Sequence, residues 1–468
     1  MANIDEALKQ LAQARPQLEI SRSDEDVDEF SHDWWIRGTM SRRIGQTTRA
    51  EAVVRPRDTA DVSALAAWAE QTKTPIVPYG LGSGVCGAIA LEGRGVVIDM
   101  GAMNALLDVD ETSLLATVQP GMCGADFEAA LRAKGYTMGH FPQSIDLSTV
   151  GGWCATRASG QLSTLYGNIE DMLLGCEVVL PGGEVIDIPA TTRSATGPDL
   201  KNLFLGSEGI LGIMTKLVFR IHPLPEAETG QSFTLPDVAA GIEALRLILR
   251  AGWRPPVTRL YDAVEAGRNF QIANDDLPVL LLLSQGPKAL VDVEAKAIAE
   301  IVRSQGGVAK GEEPVTSWLE HRNNVPDLHS LLEQGLVVDT IEIAAKWQNL
   351  APLFEDVCRE GNAIEEMIAM SGHVSHCYTQ GANIYFTFVA TEQDPNKAVA
   401  LYDRAWNLTM EKTLAHGGTI AHHHGIGRVR KEWLKDELGT SHALLARLKK
   451  AIDPSGIMNP GAVLDVKD

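Results

Sequence analysis

Apolar positions along this chain recur at two spacings, and the two alternate. Val62, Leu65, Ala66 and Ala69 follow the three-and-four spacing of one helix face, which predicts a helix over residues 59–73. The runs EAVVRP, PIVPYG and ATVQPG are short, carry β-branched residues and are closed by Pro or Gly, which predicts strands. A second helix is expected over 123–134, stopped by Gly135. CEVVLPGGEVIDI reads as two strands about a Pro-Gly-Gly turn, and LFLGSEGILGIMTKLVFRI as a glycine-rich turn that opens into a closing strand. The two prolines of HPLPE mark a boundary near residue 224.

Beyond that boundary the order changes. A strand (SFTLP), a helix over 237–250, two strands (VTRLYD and VLLLLSQG) and a helix over 291–303 predict an antiparallel sheet with helices on one face. A polar helical insertion over 314–335 follows. Then come a strand (IEIAAKW), a helix over 350–360, strands around 373–378 and 384–389, and helices over 395–416 and 441–451. The fold class is α+β.

One stretch fits neither spacing. Residues 142–171 are dense in Gly, Ser and Thr and carry few charges, while Trp153, Cys154, Leu162 and Tyr166 argue against disorder. A loop this long inside a compact domain is expected to be functional, with backbone N–H groups and hydroxyls turned toward an anionic or highly polar ligand. The turn GLGSGVCGA, placed straight after PIVPYG, offers the same chemistry, because glycine lets the backbone approach a pyrophosphate closely. It is not GxGxxG. The run after it, AIALEGRGVVIDM, reads as a strand, so context excludes a dinucleotide-binding βαβ unit.

Charge sharpens this picture. The net charge of −20 disfavours nucleic acid and anionic membrane as partners, so an anionic ligand must be held by local donors. The six cysteines are scattered without a CxxC pair, which favours reduced thiols and a cytoplasmic setting. The N-terminal MANIDEALKQLAQARP reads as a short amphipathic helix, not a secretory signal. No run approaches the ~18 apolar residues of a transmembrane segment.

Four blocks, in order, carry a resemblance: PYGLGSGVCG; STVGGW through TRASG to YGNIEDM; LFLGSEGILGIMTK; and HHHGIG followed by IDPSGIMNPG. Over almost the whole chain they resemble the FAD-binding flavoproteins of the vanillyl-alcohol-oxidase/PCMH superfamily. Within it the wording is closest to the alkylglycerone-phosphate synthases, followed by the D-lactate, glycolate and 2-hydroxyglutarate dehydrogenases. The resemblance implies a PCMH-type FAD-binding domain of two α/β subdomains over 1–224. It also implies a cap with an antiparallel sheet covered by helices over 225–420, and a segment over 421–468 that returns to the FAD domain. FAD would be held by Pro78, Gly80, Leu81, Gly82, Ser83, Gly84, Val85, Pro142, Ser148, Thr149, Gly151, Gly152, Thr156, Ser159, Gly160, Tyr166, Gly167, Glu208, Gly209, Gly212, Ile213 and Asn459. The first glycine-rich turn has no His, where covalently flavinylated relatives often carry one. Non-covalent FAD is therefore expected.

The candidate chemistry lies elsewhere in the chain. His422, His423 and His424 precede Gly-Ile-Gly, and imidazole exchanges protons near neutral pH. His423 and His424 are the expected catalytic pair, with His422 at the substrate. Tyr385 alternates with Ile384, Phe386 and Phe388, which puts it on the opposite strand face; the resemblance points its phenol at the flavin. Arg259 and Arg322 are the candidate forks for a substrate carboxylate or phosphate. Arg322 is the cation nearest to Pro326, where the register puts the synthases' phosphate Arg. The hydroxyglutarate-type Lys reads as Thr340 or Glu342 here, so both family substrate cations are altered.

No metal is expected. Tyr385 and His423 stand where zinc-dependent relatives carry a second His and a Glu, and a residual nitrogen set would be His376, His423 and His424. The expected function is FAD-dependent oxidation of a small hydroxy acid or related alcohol by hydride transfer. The alternative is a synthase-like flavoenzyme acting through a flavin–substrate adduct without net redox. The electron acceptor is left unassigned, with a homodimer among the possible assemblies.

Overall fold

A computed structural model describes residues 4–46, 48–89, 91, 95–270 and 276–464. The chain builds two main sheets and a two-stranded pair (Tyr136–Thr137 with His222–Pro223) in the N-terminal body, and a larger sheet that covers it. The first sheet runs in the order Glu19–Ser21, Ala52–Arg55, Val96–Asp99, Ile76–Tyr79, and its last three strands are parallel. Helix Thr59–Thr72 makes the crossover between parallel strands. Asp58 caps its start by accepting from the amide of Asp61, and Lys73 ends it at φ 56°. Its predicted face (Val62, Leu65, Ala66, Ala69) is fully buried against Val54, Ile76 and Ile98. The strand expected from AIALEGRGVVIDM is confined to Val96–Asp99; residues 90 and 92–94 lie outside the described residues.

The second sheet is antiparallel, in the order Leu106–Asp110, Leu115–Val118, Ile213–Arg220, Leu173–Val179, Val185–Ile188. The Pro-Gly-Gly turn joins its last two strands, with Gly182 and Gly183 both at positive φ. The edge strand Leu106–Asp110 has no counterpart in the sequence reading, because LLDVD is half-exposed and ends in acid.

The stretch 142–171 is not an open loop. It folds into the short helices Ile145–Leu147, Val150–Thr156, Ser163–Tyr166 and Ile169–Met172. Each is too short to show a 3.6-residue period, and side-chain caps hold two of them. Thr149 Oγ1 accepts from the amide of Gly152, and Asn168 and Asp171 cap one another. Trp153 is the anchor, buried with its indole N–H donated to Ser148 Oγ at 2.8 Å.

The covering sheet has seven antiparallel strands in the order Val308–Gly311, Ala227–Thr234, Val279–Gly286, Val257–Tyr261, Met367–Val374, Gly381–Thr391, Leu336–Lys346. Both of its faces are buried. Leu260, Leu280 and Leu282 pack on Ile242, Leu245 and Ile298 of the helices, while Val279, Leu281 and Leu283 join a core with Trp318 that faces the N-terminal body. That double burial is why 279–283 reads as an unbroken apolar run. The strand expected at 373–378 starts earlier, at Met367, and ends at Val374. The side-chain oxygen of Asn383 captures the amides of Ser375 and His376, both at 2.9 Å, and this draws residues 375–378 out of the ladder. At the far end of the chain, Ile457 and Asn459 hydrogen-bond to Ile76, so that segment lies alongside the first sheet.

Phe386 is fully buried against Phe354, with ring centroids 5.7 Å apart. Phe386→Ala should lower stability by about 3–5 kcal/mol, read from the urea midpoint followed by circular dichroism.

Candidate functional site

The glycine-rich turn, helix Val150–Thr156, the bend around Glu208 and the covering sheet surround a partly open cavity of about 300 Å³. Its lining runs without a break from the glycine-rich turn to the histidine turn.

At one end the wall is backbone. Gly82 and Gly84 offer their carbonyls to the amide of Trp34 at 3.1 and 2.8 Å, which ties the loop down by its acceptors. Among the described residues, no acceptor takes the backbone N–H groups of residues 80–85. Buried N–H groups rarely stay unpaired, and a run of them forms a concave anion site. Gly82 sits at φ 68°, and a Cβ there would fall 2.1 Å from the Tyr79 hydroxyl. Asn459 donates to the carbonyls of Ala88 and Glu208 at 3.0 and 2.7 Å, while its buried side-chain oxygen has no partner. Burial pushes the carboxyls of Asp33 and Glu208 up to about 7. Both accept backbone amides, Asp33 from Trp35 and Ala88, Glu208 from Ile426 and Gly427. Exposed backbone donors and close-approach glycines fit a dinucleotide's diphosphate, while the orphaned Asn459 oxygen offers an acceptor to a donor elsewhere on such a cofactor.

Of the residues the sequence assigns to the cofactor, Gly160, Tyr166 and Gly167 stand off the cavity wall and the others line it. Gly160 passes so close to Phe141 that a Cβ would lie 2.6 Å from its amide nitrogen. Tyr166 donates to Gln285 at 2.7 Å and packs edge-on to His222. Gly167 turns the chain between two short helices at φ 90°. These three seat the stretch against its neighbours.

At the other end the wall is imidazole, phenol and one guanidinium. The carboxylate of Glu342, fully buried, accepts the amides of His422 and His424 and pairs with the buried Arg430 at 3.0 Å. Arg430 also donates to the carbonyls of Ile420 and Gly425 at 2.8 and 3.0 Å, which closes the histidine turn upon itself. Burial pushes His422 and His423 down to about 3, and His376 and His424 well below the ordinary imidazole range. All four are neutral at pH 7, each with a lone pair.

The hydrogen bonds select one tautomer. Tyr378 donates to Asn168 Oδ1 at 3.1 Å, so it accepts from His422 Nε2 at 2.7 Å. His422 Nδ1 is then an acceptor and takes the Nδ1 proton of His423 at 2.8 Å. Nε2 of His423 is left as a bare acceptor, in a ring that lines the cavity. Tyr385 lines it too, stacked on His373 at 4.9 Å and edge-on to His424 at 5.6 Å. Ile384, Phe386 and Phe388 are buried on the opposite strand face, as the alternation predicts, and the phenol meets the cavity, not solvent. Burial raises that phenol to about 12, which keeps it a donor.

Arg259 lines the cavity and is held on two sides. Nε donates to Tyr261 Oη at 2.9 Å, and Nη2 meets His373 Nε2 at 2.9 Å. His373 Nδ1 in turn bonds Glu265 at 2.6 Å, and Glu265 accepts from Thr387 at 2.7 Å. Arg322 does not reach the wall. It stacks on Phe141 at 4.7 Å and Trp318 at 5.8 Å and donates to Gln161 at 3.2 Å, in the seam between cap and N-terminal body. Burial lowers it to about 10. His422 also stands behind the wall. The nitrogen set that converges is His376, His422 and His423, with ligand atoms within 4.8 Å of one another; His424 lies outside it, 3.7 Å from Glu342. His373, Glu265, Tyr378 and Asp33 were missed by the sequence reading. HVSH reads simply as strand, and nothing in HDWW separates a cavity carboxyl from a packing motif.

Comparison with known proteins agrees with this geometry. Residues 50–189 match the family described as FAD binding domain, and residues 224–463 match FAD linked oxidases, C-terminal domain. An uncharacterized FAD-linked oxidoreductase of Escherichia coli (strain K12), YgcU, is 36% identical over 81% of this chain and 83% of its own. Glycolate oxidase subunit GlcD of Bacillus subtilis (strain 168) is 27% identical over 88% of each chain. A solved structure of alkyldihydroxyacetonephosphate synthase superposes with TM-score 0.81 at 27% identity, covering 98% of this chain and 85% of its own.

Gly82→Ala forces a side chain into a left-handed backbone and against the Tyr79 hydroxyl. FAD affinity should fall by on the order of tenfold or more, measured by fluorescence titration of the apoprotein.

Proposed function

Since this chain belongs to the FAD-linked oxidase family, with an FAD-binding domain joined to that family's C-terminal domain, we propose that it oxidises a small hydroxy acid or related alcohol. Bound FAD supplies the two-electron acceptor at carbon. The observation that carries the reading is one wall with three functions: a guanidinium at Arg259, a phenol donor at Tyr385 and a bare imidazole nitrogen at His423. Arg259 takes the acid through its remaining N–H groups. Tyr385 donates to the substrate hydroxyl oxygen and orients it, and His423 Nε2 takes the hydroxyl proton as the C–H bond is oxidised. His424, edge-on to both Tyr385 and His423, fixes the approach of the two rings. Burial of this end excludes water and strengthens each contact.

The likeness to the synthase over nearly the whole chain favours one second reading, exchange of an acyl for an alkyl group on a phosphorylated ketone without net redox. Anaerobic mixing separates the two. At least one of glycolate, D-lactate, L-lactate and 2-hydroxyglutarate should bleach the flavin's visible band under the first reading. No bleaching with any of them, together with group exchange, would establish the second.

His423→Ala should lower kcat by about 10²–10⁴-fold with FAD still bound, and His424→Ala, which removes the ring that packs on both Tyr385 and His423, should lower it by a smaller factor on the same terms. Because burial holds His423 down at about 3, its nitrogen stays an acceptor as pH falls, so kcat/KM should show no loss from the base between pH 8 and about pH 5, and any step near pH 7 should vanish in Asp33→Asn or Glu208→Gln. An exposed imidazole base would already lose half its activity near pH 6.5. Acid precipitation should release the yellow colour into the supernatant, as expected of non-covalent FAD.

A further inference from the structure

We propose that Glu265 and His373 act as positioning residues that make this site select a substrate bearing one negative charge, a small hydroxy monocarboxylate, over a dicarboxylate or a phosphate ester. The inference rests on the reading of Arg259 as the substrate's anion partner and goes beyond it.

Among the described residues, Arg259 is the sole Arg or Lys side chain on the cavity wall. It is tied along one edge only. Nε is given to Tyr261 and one Nη2 hydrogen to His373, which leaves both Nη1 hydrogens and the second Nη2 hydrogen for a ligand. Those three N–H bonds form a fork that matches one carboxylate. The tether also sets the charge. A guanidinium can only donate, so His373 Nε2 accepts from it. His373 Nδ1 therefore carries the ring's proton and donates it to Glu265. Glu265 is buried, and its other oxygen is filled by Thr387. The result is a buried chain of guanidinium, neutral imidazole and carboxylate whose net charge is zero before any ligand arrives.

One carboxylate can dock on the open fork. A second negative charge finds no counter-ion, because Arg322 is turned into the seam with Gln161 and burial holds the cavity's imidazoles neutral. The wall carries two further carboxyls, Asp33 and Glu208, each already engaged by backbone amides. An unpaired charge in such a place is disfavoured more strongly than at a surface.

The test uses the FAD-loaded protein and two ligands with no hydrogen to lose from the carbinol carbon, so binding is read without turnover. They are 2-hydroxyisobutyrate, a monoanion, and 2-hydroxy-2-methylmalonate, in which one methyl is replaced by a second carboxylate. At about pH 8 both are fully ionised. Perturbation of the flavin spectrum gives each Kd. The wild-type protein should bind the monoanion at least about tenfold tighter. Glu265→Gln keeps the bonds to His373 and Thr387 but removes the compensating charge, so it should narrow or invert that ratio by on the order of tenfold. His373→Gln, which can still link Arg259 to Glu265, should keep the wild-type preference. His373→Leu, which cannot, should lose 2-hydroxyisobutyrate binding while FAD stays bound.

A wild-type protein that prefers the dianion, or a Glu265→Gln protein with FAD bound and an unchanged ratio, overturns the proposal. So does the absence of any spectral response to either ligand in a flavin-loaded protein. The wild-type measurement stands even if a variant fails to fold. Failure of the parent reading looks different: no flavin taken up, or flavin that none of the oxidisable hydroxy acids bleaches.

Discussion

The interaction on which the rest of the site depends is the buried pair of Glu342 and Arg430. Glu342 lies on an inner face of the cap strand Leu336–Lys346, and Arg430 lies in the returning C-terminal segment. Burying two charges gains little stability in itself, because desolvation offsets their attraction. What it does here is geometric. The carboxylate must be satisfied, and it takes the amides of His422 and His424. The guanidinium must be satisfied, and it takes carbonyls on both sides of the same turn. Three adjacent histidines are thereby held in one arrangement, and Gly427 is carried on to the carboxyl of Glu208 in the N-terminal body. One ion pair thus couples the cap, the tail and the cofactor end.

The two ends of the cavity solve opposite electrostatic problems. The glycine-rich end, in a protein of net charge −20, has no Lys or Arg among its described lining residues and presents backbone dipoles instead, the arrangement an anion would need there. The imidazole end is held neutral by dense burial, as the proton transfer proposed for it requires. The guanidinium of Arg259 is allowed between them because Glu265 offsets it through His373. Each arrangement uses the low dielectric of a closed interior, which strengthens paired groups and penalises unpaired ones.

Much of this was legible in the sequence, and the gaps have physical causes. The long elements were readable because burial on one face imposes a period on them, as in Thr59–Thr72, or on both faces imposes a continuous run, as at 279–283. The glycines of the first turn and the face of Tyr385 followed from backbone geometry alone. The helices within 142–171 were hidden, because one- and two-turn helices are held by caps and by Trp153, not by periodicity. Arg322 was misplaced and Glu265, His373 and Tyr378 were missed for one reason. A side chain's partners come from other strands and helices, and no local pattern records them. The family resemblance supplied the cofactor; it could not supply the tautomer or the charge balance.

The tail that runs beside Ile76 has a consequence for biosynthesis. Asn459 supplies the last polar contact of the cofactor end, yet it is made more than two hundred residues after the sheets it completes. On the ribosome, the N-terminal body emerges with its anion cradle unfinished, and the histidine turn has not yet been translated. The full set of polar contacts at that end therefore exists only once the closing segment has been made and has come to lie beside Ile76.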